Sequence, residues 1–243
     1  MTFLHGFTQR GASWEELWSL LPPRWRLVAV DLPGHGDSPD TGATLPAATR
    51  ALAETWDALG IEMSAVVGYS LGGRLALFAA ATLPQRVTNL VTIGAHAGFE
   101  GDARRQRLKS DQQLAQRIEA DGVEWFASYW ADLPMFAGLR SRGTERLAAY
   151  DRVRRANRAS GLAASLQGMG GAAEPPFWDR LPAITAPALL LAGEHDHPYI
   201  DHAHRLRALI PGSRIGIVPG AGHSAHLEQP VRVAALLERH LCA

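Results

Sequence analysis

The stretch SAVVGYSLGGRLALFAAATLP, residues 64–84, restricts the fold of this chain more than any other. Four residues of strand character run into Gly68-Tyr69-Ser70-Leu71-Gly72, and helix-spaced apolar residues follow as far as Pro84. A strand that turns directly into a helix must cross one face of a sheet and return parallel to itself. Other short apolar runs repeat the pattern: TFLH, RLVAVD (26–31), NLVTIGA (89–95), ALLLAG (188–193) and RIGIVPG (214–220). Their near-continuous hydrophobicity predicts strands buried on both faces, as in a parallel sheet covered by helices. TRALAETWDALG and GRLALFAAATLP supply helical spacing with a Gly or Pro stop. The expectation is an open α/β fold. From about Ala97 to Trp178 strand signals vanish and Arg-, Gln- and Ala-rich helical stretches replace them, until MGGAAEPP (169–176) breaks the helices. The reading is a core of residues 1–96 and 181–243 with a helical cap, 97–180, inserted into it.

The turn at Ser70 needs glycine two residues to either side, because it is too sharp for side chains there. It would hold the serine hydroxyl clear of the sheet, with a helix N-terminus beneath it that favours developing negative charge. A serine used as a nucleophile or base needs a second base, and that base an orienting carboxylate. LLLAGEHD ends one strand at Asp196, and IVPGAGHSAH ends the next at His223. Asp196 is expected to accept from one imidazole nitrogen of His223 while the other takes the Ser70 proton. Glu194 competes for the acid's role, with Asp196 closer to the expected loop apex. His195, His197, His202 and His204 cluster around Asp196, but without a cysteine or a ligand helix they do not make a convincing metal site. His226 reads as the start of the final helical region, and His35, in DLPGHGDS, as structural.

FLHGF, residues 3–7, places a strand end and a tight turn at the front of the chain. An oxyanion formed at Ser70 needs two N–H donors, one from the residue after the serine and one from the loop after an early strand. Leu71 and Phe7 are the candidates.

The formal net charge is zero, so no global field recruits nucleic acid or an anionic membrane. Locally, twelve basic residues face nine acids between His96 and Ser160, a net +3 offset elsewhere and read mostly as solvated helix surface. No apolar run reaches the ~18 residues of a membrane span, and no signal peptide is visible. The one cysteine, Cys242, permits no internal disulfide, and a cytoplasmic location is expected. No nucleotide, flavin or metal site is apparent, and the oligomeric state is not encoded in any pattern here.

The chain resembles α/β-hydrolases from FLHGF to GHSAHLEQP, and shares with them the order Ser, Asp, His. It is most similar to the 2-succinyl-6-hydroxy-2,4-cyclohexadiene-1-carboxylate synthases of menaquinone biosynthesis. FLHGFTQRGASW, DLPGHGDS, VGYSLGGRLAL, RLKSD, YWADLPMF and RRANRASGLAASLQGMG carry that resemblance. It implies a mostly parallel sheet flanked by helices, an inserted helical cap and no cofactor. It further implies a lyase that uses a Ser-His-Asp triad to eliminate pyruvate, without hydrolysis, from a substrate with several carboxylates. Arg74, Arg107 and Arg154 match the family's carboxylate-binding positions, and arginine forks suit that role. Arg74 is the most telling, one helical turn beyond Ser70, while Arg155 or Arg158 could replace Arg154. Tyr69, Trp130 and Phe136 match aromatic pocket positions. The chain begins at the strand carrying His5, whereas many relatives have earlier strands. A serine hydrolase (esterase, thioesterase or C–C bond hydrolase) acting on a small acidic substrate is the alternative.

Overall fold

The computed structural model describes residues 1–242. β1 (Thr2–Leu4) leads through a 3-10 turn (Gly11–Trp14) and α1 (Glu15–Trp18) to β2 (Val28–Val30). α2 (Leu45–Ala58), β3 (Ser64–Tyr69), α3 (Leu71–Thr82) and β4 (Val87–Ile93) complete the first half. α2 begins four residues before the helical spacing of 49–60 because the Thr44 side chain accepts from the Ala47 amide and Pro46 lies in the first turn.

The six strands form one parallel sheet in the order β2-β1-β3-β4-β5-β6. The last two are β5 (Ala188–Gly193) and β6 (Arg214–Val218), joined by α7 (His197–Leu209), with α8 (Ala225–Glu228) and α9 (Pro230–Leu241) behind them. β3 and β5 cover the residues expected of them, and the other strands differ by one or two residues at an end. The expected burial on both faces holds for the inner strands but not at the edges. All three residues of β2 are half-buried, and only Val218 of β6 is buried. An edge strand has a neighbour on one side only, so its outer flank meets solvent whatever its hydrophobicity.

Alternate residues feed two cores. Leu4, Val66, Leu90 and Leu190 pack with α2, α3 and α7, while Phe3, Val67, Val91, Leu189 and Leu191 pack with α1 and α9. Each fully buried Leu or Val contributes roughly 1.5–3 kcal/mol.

Between β4 and β5 the chain is helical: α4 (Gly101–Ala131), a 3-10 segment (Pro134–Arg142), α5 (Thr144–Arg155) and α6 (Ala159–Met169). α4 breaks at Gly122, whose φ of 81° is outside helical space. Ile118, Phe126, Leu162 and Leu166 join α4 to α6, and Phe7 packs against both this cluster and the sheet core. No helix among the described residues is long and apolar enough to cross a membrane.

The chain leaves β1 toward β2 and returns to place β3 on β1's other side. Such a reversal opens a crevice at the carboxyl ends of the two strands, where ligands bind in open α/β sheets. His5-Gly6-Phe7 follows β1 and Ser70 follows β3, so both turns face that crevice.

Candidate active site

Ser70 has φ 50° and ψ −108°, a conformation that costs a non-glycine residue roughly 1–3 kcal/mol. The surroundings hold it there. The Ser70 amide donates to Ile93 O at 2.9 Å, and its carbonyl accepts from the Arg74 amide at 3.0 Å, opening α3. A Cβ on Gly68 would collide with the Gly72 carbonyl, and one on Gly72 with the carbonyls of Leu4 and His5. The Gly72 amide donates to His5 O at 3.1 Å, which binds the start of α3 to the end of β1.

The Ser70 hydroxyl lies 3.1 Å from His223 Nε2, and His223 Nδ1 lies 2.7 Å from Asp196 Oδ2. A carboxylate only accepts, so Nδ1–H donates to Asp196 and Nε2 is free to accept from the serine. Asp196 and His223 are 7% and 2% exposed, so this relay is shielded from water. Glu194 is exposed and accepts instead from the Gly220 amide at 2.8 Å, with no hydrogen bond to His223 among the described residues. The buried Glu228 accepts from the amides on both sides of His223, Gly222 at 2.7 Å and Ser224 at 3.1 Å.

Phe7, Ser70 and Leu71 line one cavity of about 340 Å³. Among the described residues neither the Phe7 nor the Leu71 amide has a protein acceptor. Two buried histidines brace the Phe7 turn. His5 donates to Gly6 O and accepts from the Leu32 amide; His35 donates to Pro33 O and accepts from the Thr8 amide. Burial lowers their pKa values to about 4 and about 3, so both remain neutral braces.

The arginines divide. Arg74 and Arg107 line the Ser70 cavity, but Arg74 does not present an open fork to it. Its Nη1 donates at 2.7 Å to the carbonyls of Met169 and Gly170, the end of α6, and its Nε and Nη2 are buried without partners. Burial lowers its pKa to about 10, still a cation at neutral pH. Arg107 gives Nε to Asp111 at 2.7 Å while remaining 40% exposed. Burial pushes the Asp111 carboxyl up despite that pairing. Arg154 is not in this cavity. With Tyr69 and Phe136 it lines a second of about 30 Å³, separated by Phe7 and Trp130, which border both. Its nearest acid, Asp151, is 3.6 Å away, and burial lowers its pKa. Arg155 and Arg158 do not replace it: one pairs with Asp151 and Glu124, the other with Asp40 and the carbonyls of Gly36 and Ser38. Tyr69 is buried, its hydroxyl 2.8 Å from Ser224 Oγ. Phe136 stands 6.3 Å from the His223 ring.

The histidines near Asp196 disperse. His195, His197 and His204 are exposed, and His202 stacks on His96. Among the described residues no group of three or more His, Cys, Asp or Glu is arranged to hold a metal ion. His226 lies buried between Trp14 and Tyr69, ring centroids 4.5 and 4.4 Å away.

Among the residues of the main cavity wall that sequence reasoning missed are His96, Asp111 and Tyr199. Tyr199 packs against His223 with centroids 4.3 Å apart. Position offered a signal for His96, which follows the C-terminal end of a parallel strand.

The family model for the alpha/beta hydrolase fold matches residues 1–230. A Bacillus subtilis (strain 168) relative is 38% identical over 232 residues, covering 93% of this chain and 84% of its own. The 2-succinyl-6-hydroxy-2,4-cyclohexadiene-1-carboxylate synthase of Enterobacter sp. (strain 638) is 35% identical, covering 99% and 91%. The solved structure of MenH from S. aureus superposes with a TM-score of 0.93 at 27% identity, covering 99% of this chain and 92% of that one.

Proposed function

The chain belongs to the 2-succinyl-6-hydroxy-2,4-cyclohexadiene-1-carboxylate synthases of the α/β hydrolase fold, and from that premise we propose that Ser70, His223 and Asp196 work as the base of a pyruvate-eliminating lyase in menaquinone biosynthesis. The observation that carries this is the shielded Ser70–His223–Asp196 relay opening on a cavity with arginine on its wall.

His223 draws the Ser70 proton, and Ser70 Oγ takes a proton from a ring carbon of the substrate. The product bears a succinyl ketone on its ring diene, so that carbon lies beside a carbonyl and the electron pair collects on the ketone oxygen. The Phe7 and Leu71 amides would hold that oxygen, with the N-terminus of α3 behind Leu71 adding positive potential. As the enolate collapses, a ring double bond forms and the carbon–oxygen bond to the enolpyruvyl group breaks. The His223 imidazolium returns its proton to the departing enolate, which tautomerises to pyruvate and leaves Ser70 and His223 as they began. Asp196 stabilises the imidazolium in the interval.

Arg107 is our principal carboxylate contact, with Arg74 setting the potential from within the wall. Arg154, Trp130, Phe136 and Tyr69 form the adjoining part of the site. Residues 97–180 act as its cap, and the cytoplasm is where we place the reaction.

Supplying the enolpyruvyl cyclohexene substrate in ¹⁸O-water should release pyruvate, unlabelled at early times after correction for its own exchange. A trapped acyl-Ser70 with no pyruvate formed would replace the lyase with a serine hydrolase.

A further inference from the structure

One buried polar side chain on the Ser70 cavity has no part in the scheme above. His96 stands two residues beyond Gly94, past the end of β4, and is 4% exposed. The Gly98 amide donates to its Nδ1 at 3.0 Å, so that nitrogen is bare and Nε2 carries the hydrogen. Nε2 has no protein partner among the described residues and, unlike both nitrogens of His226, it is not sealed off by protein. The ring's Cε1 corner borders Gly171 on the same cavity wall. Phe99 and His202 pin its faces, with centroids 4.6 and 5.0 Å away. Burial, reinforced by Arg74, His202, Arg107 and His223, holds its pKa well below the usual value. The wall therefore carries an uncharged N–H donor in a fixed orientation.

The neighbouring charges indicate what it meets. The terminal nitrogens of Arg107 have no hydrogen-bond partner among the described residues, since only Nε is given to Asp111. Asp111 offsets one of the two arginine charges, so this end of the cavity suits one carboxylate. Such a group has two oxygens and accepts from two directions.

We infer that His96 binds a substrate carboxylate, its Nε2–H donating to one oxygen while Arg107 holds the other. This rests on the anionic-substrate reading above. The probe is 2-succinylbenzoate, the aromatic analogue of the ring product, scored by how well it protects Ser70 from a fluorophosphonate. In His96→Ala its affinity should fall about tenfold or more, as for a hydrogen bond to a charged group. His96→Gln, which keeps an N–H at similar reach, should recover most of the loss. Combined with Arg107→Ala, the losses should be less than multiplicative, because both side chains hold one group. For pyruvate release the change should fall on KM, with kcat within about threefold. The loss should be constant from about pH 5.5 to 9, where a neutral imidazole does not titrate. Unchanged protection in His96→Ala, equal losses in the Gln and Ala variants, or fully multiplicative losses with Arg107→Ala would each overturn the inference. Wild-type protein that is protected but releases no pyruvate would sink the lyase and leave the His96 contact standing.

Discussion

Replacing Glu228 with Gln should reduce turnover by more than its effect on stability would explain. One carboxylate, 4% exposed, accepts from the two amides that flank His223, at 2.7 and 3.1 Å. Glutamine keeps a single acceptor oxygen and turns its NH₂ toward the other amide. One charge-assisted bond is then lost and a buried N–H is left facing a donor, at a cost of about 1.5–3 kcal/mol. In a chain of this size each kcal/mol lowers Tm by about 2–4 °C, so a fall of roughly 3–12 °C is expected. Well below that transition the fold should be intact, yet the His223 loop has lost half its clamp. The His223 Nε2–Ser70 Oγ contact is already 3.1 Å, near the long end for a hydroxyl donor. A displacement of a few tenths of an ångström would break it, with a loss of about ten- to hundredfold in kcat. Pyruvate release and the rate of Ser70 phosphonylation, both measured at 25 °C beside a calorimetric scan, should fall together. An unchanged kcat with a lowered Tm would refute the reasoning, because the loop would then be held without the carboxylate.

Ser70→Ala and His223→Ala should each abolish most turnover in folded protein, and Asp196→Asn should cost less than either. Glu194→Gln should be near wild type, because that side chain serves only an exposed turn at Gly220; a large loss there would reverse the choice of acid. Arg107→Ala should raise KM for the anionic substrate about ten- to hundredfold and lower Tm by less than Arg74→Ala, because its own side chain is 40% exposed and its removal costs stability only through the buried Asp111 it pairs with. Arg74→Ala should lower Tm as well, since it strips two carbonyls at the end of α6 of their donor; equal Tm values for the two variants would contradict this. Stability should depend on pH through His5, His35 and His226, held neutral by burial with pKa values of about 4, 3 and 3. Below about pH 6.5 the unfolded chain binds protons that the native state refuses, so stability is full above that pH and declines below it. Each histidine contributes up to about 1.4 kcal/mol per pH unit until its native pKa is reached. A Tm that stays flat from pH 7 to 5 would contradict this, and His226→Phe should make the decline shallower.

What the sequence made legible is what sterics and chain order dictate locally. The elbow could be placed because Gly68 and Gly72 each touch backbone, where only hydrogen fits. Asp196 and His223 could be placed because each follows a strand by a few residues, at the end of the sheet where sites form. The destinations of long side chains were not legible. Arg74 has the right position one turn past Ser70, but carbonyls at the far end of α6 claim its Nη1, and no local pattern records that contact. Glu228 was invisible for the same reason, a single residue whose meaning is set by the amides it faces, and although His96 follows a strand end, its role as a neutral donor is set by the Gly98 amide. The edge strands misled because an apolar run looks the same with one neighbour or two. FLHGF became interpretable only through strand order. β1 lies between β2 and β3, so the His5 carbonyl can receive the Gly72 amide and the first turn of the chain is bolted to the serine turn. Were β3 to pair elsewhere, Phe7 and Leu71 could not border one cavity, however well each motif was preserved.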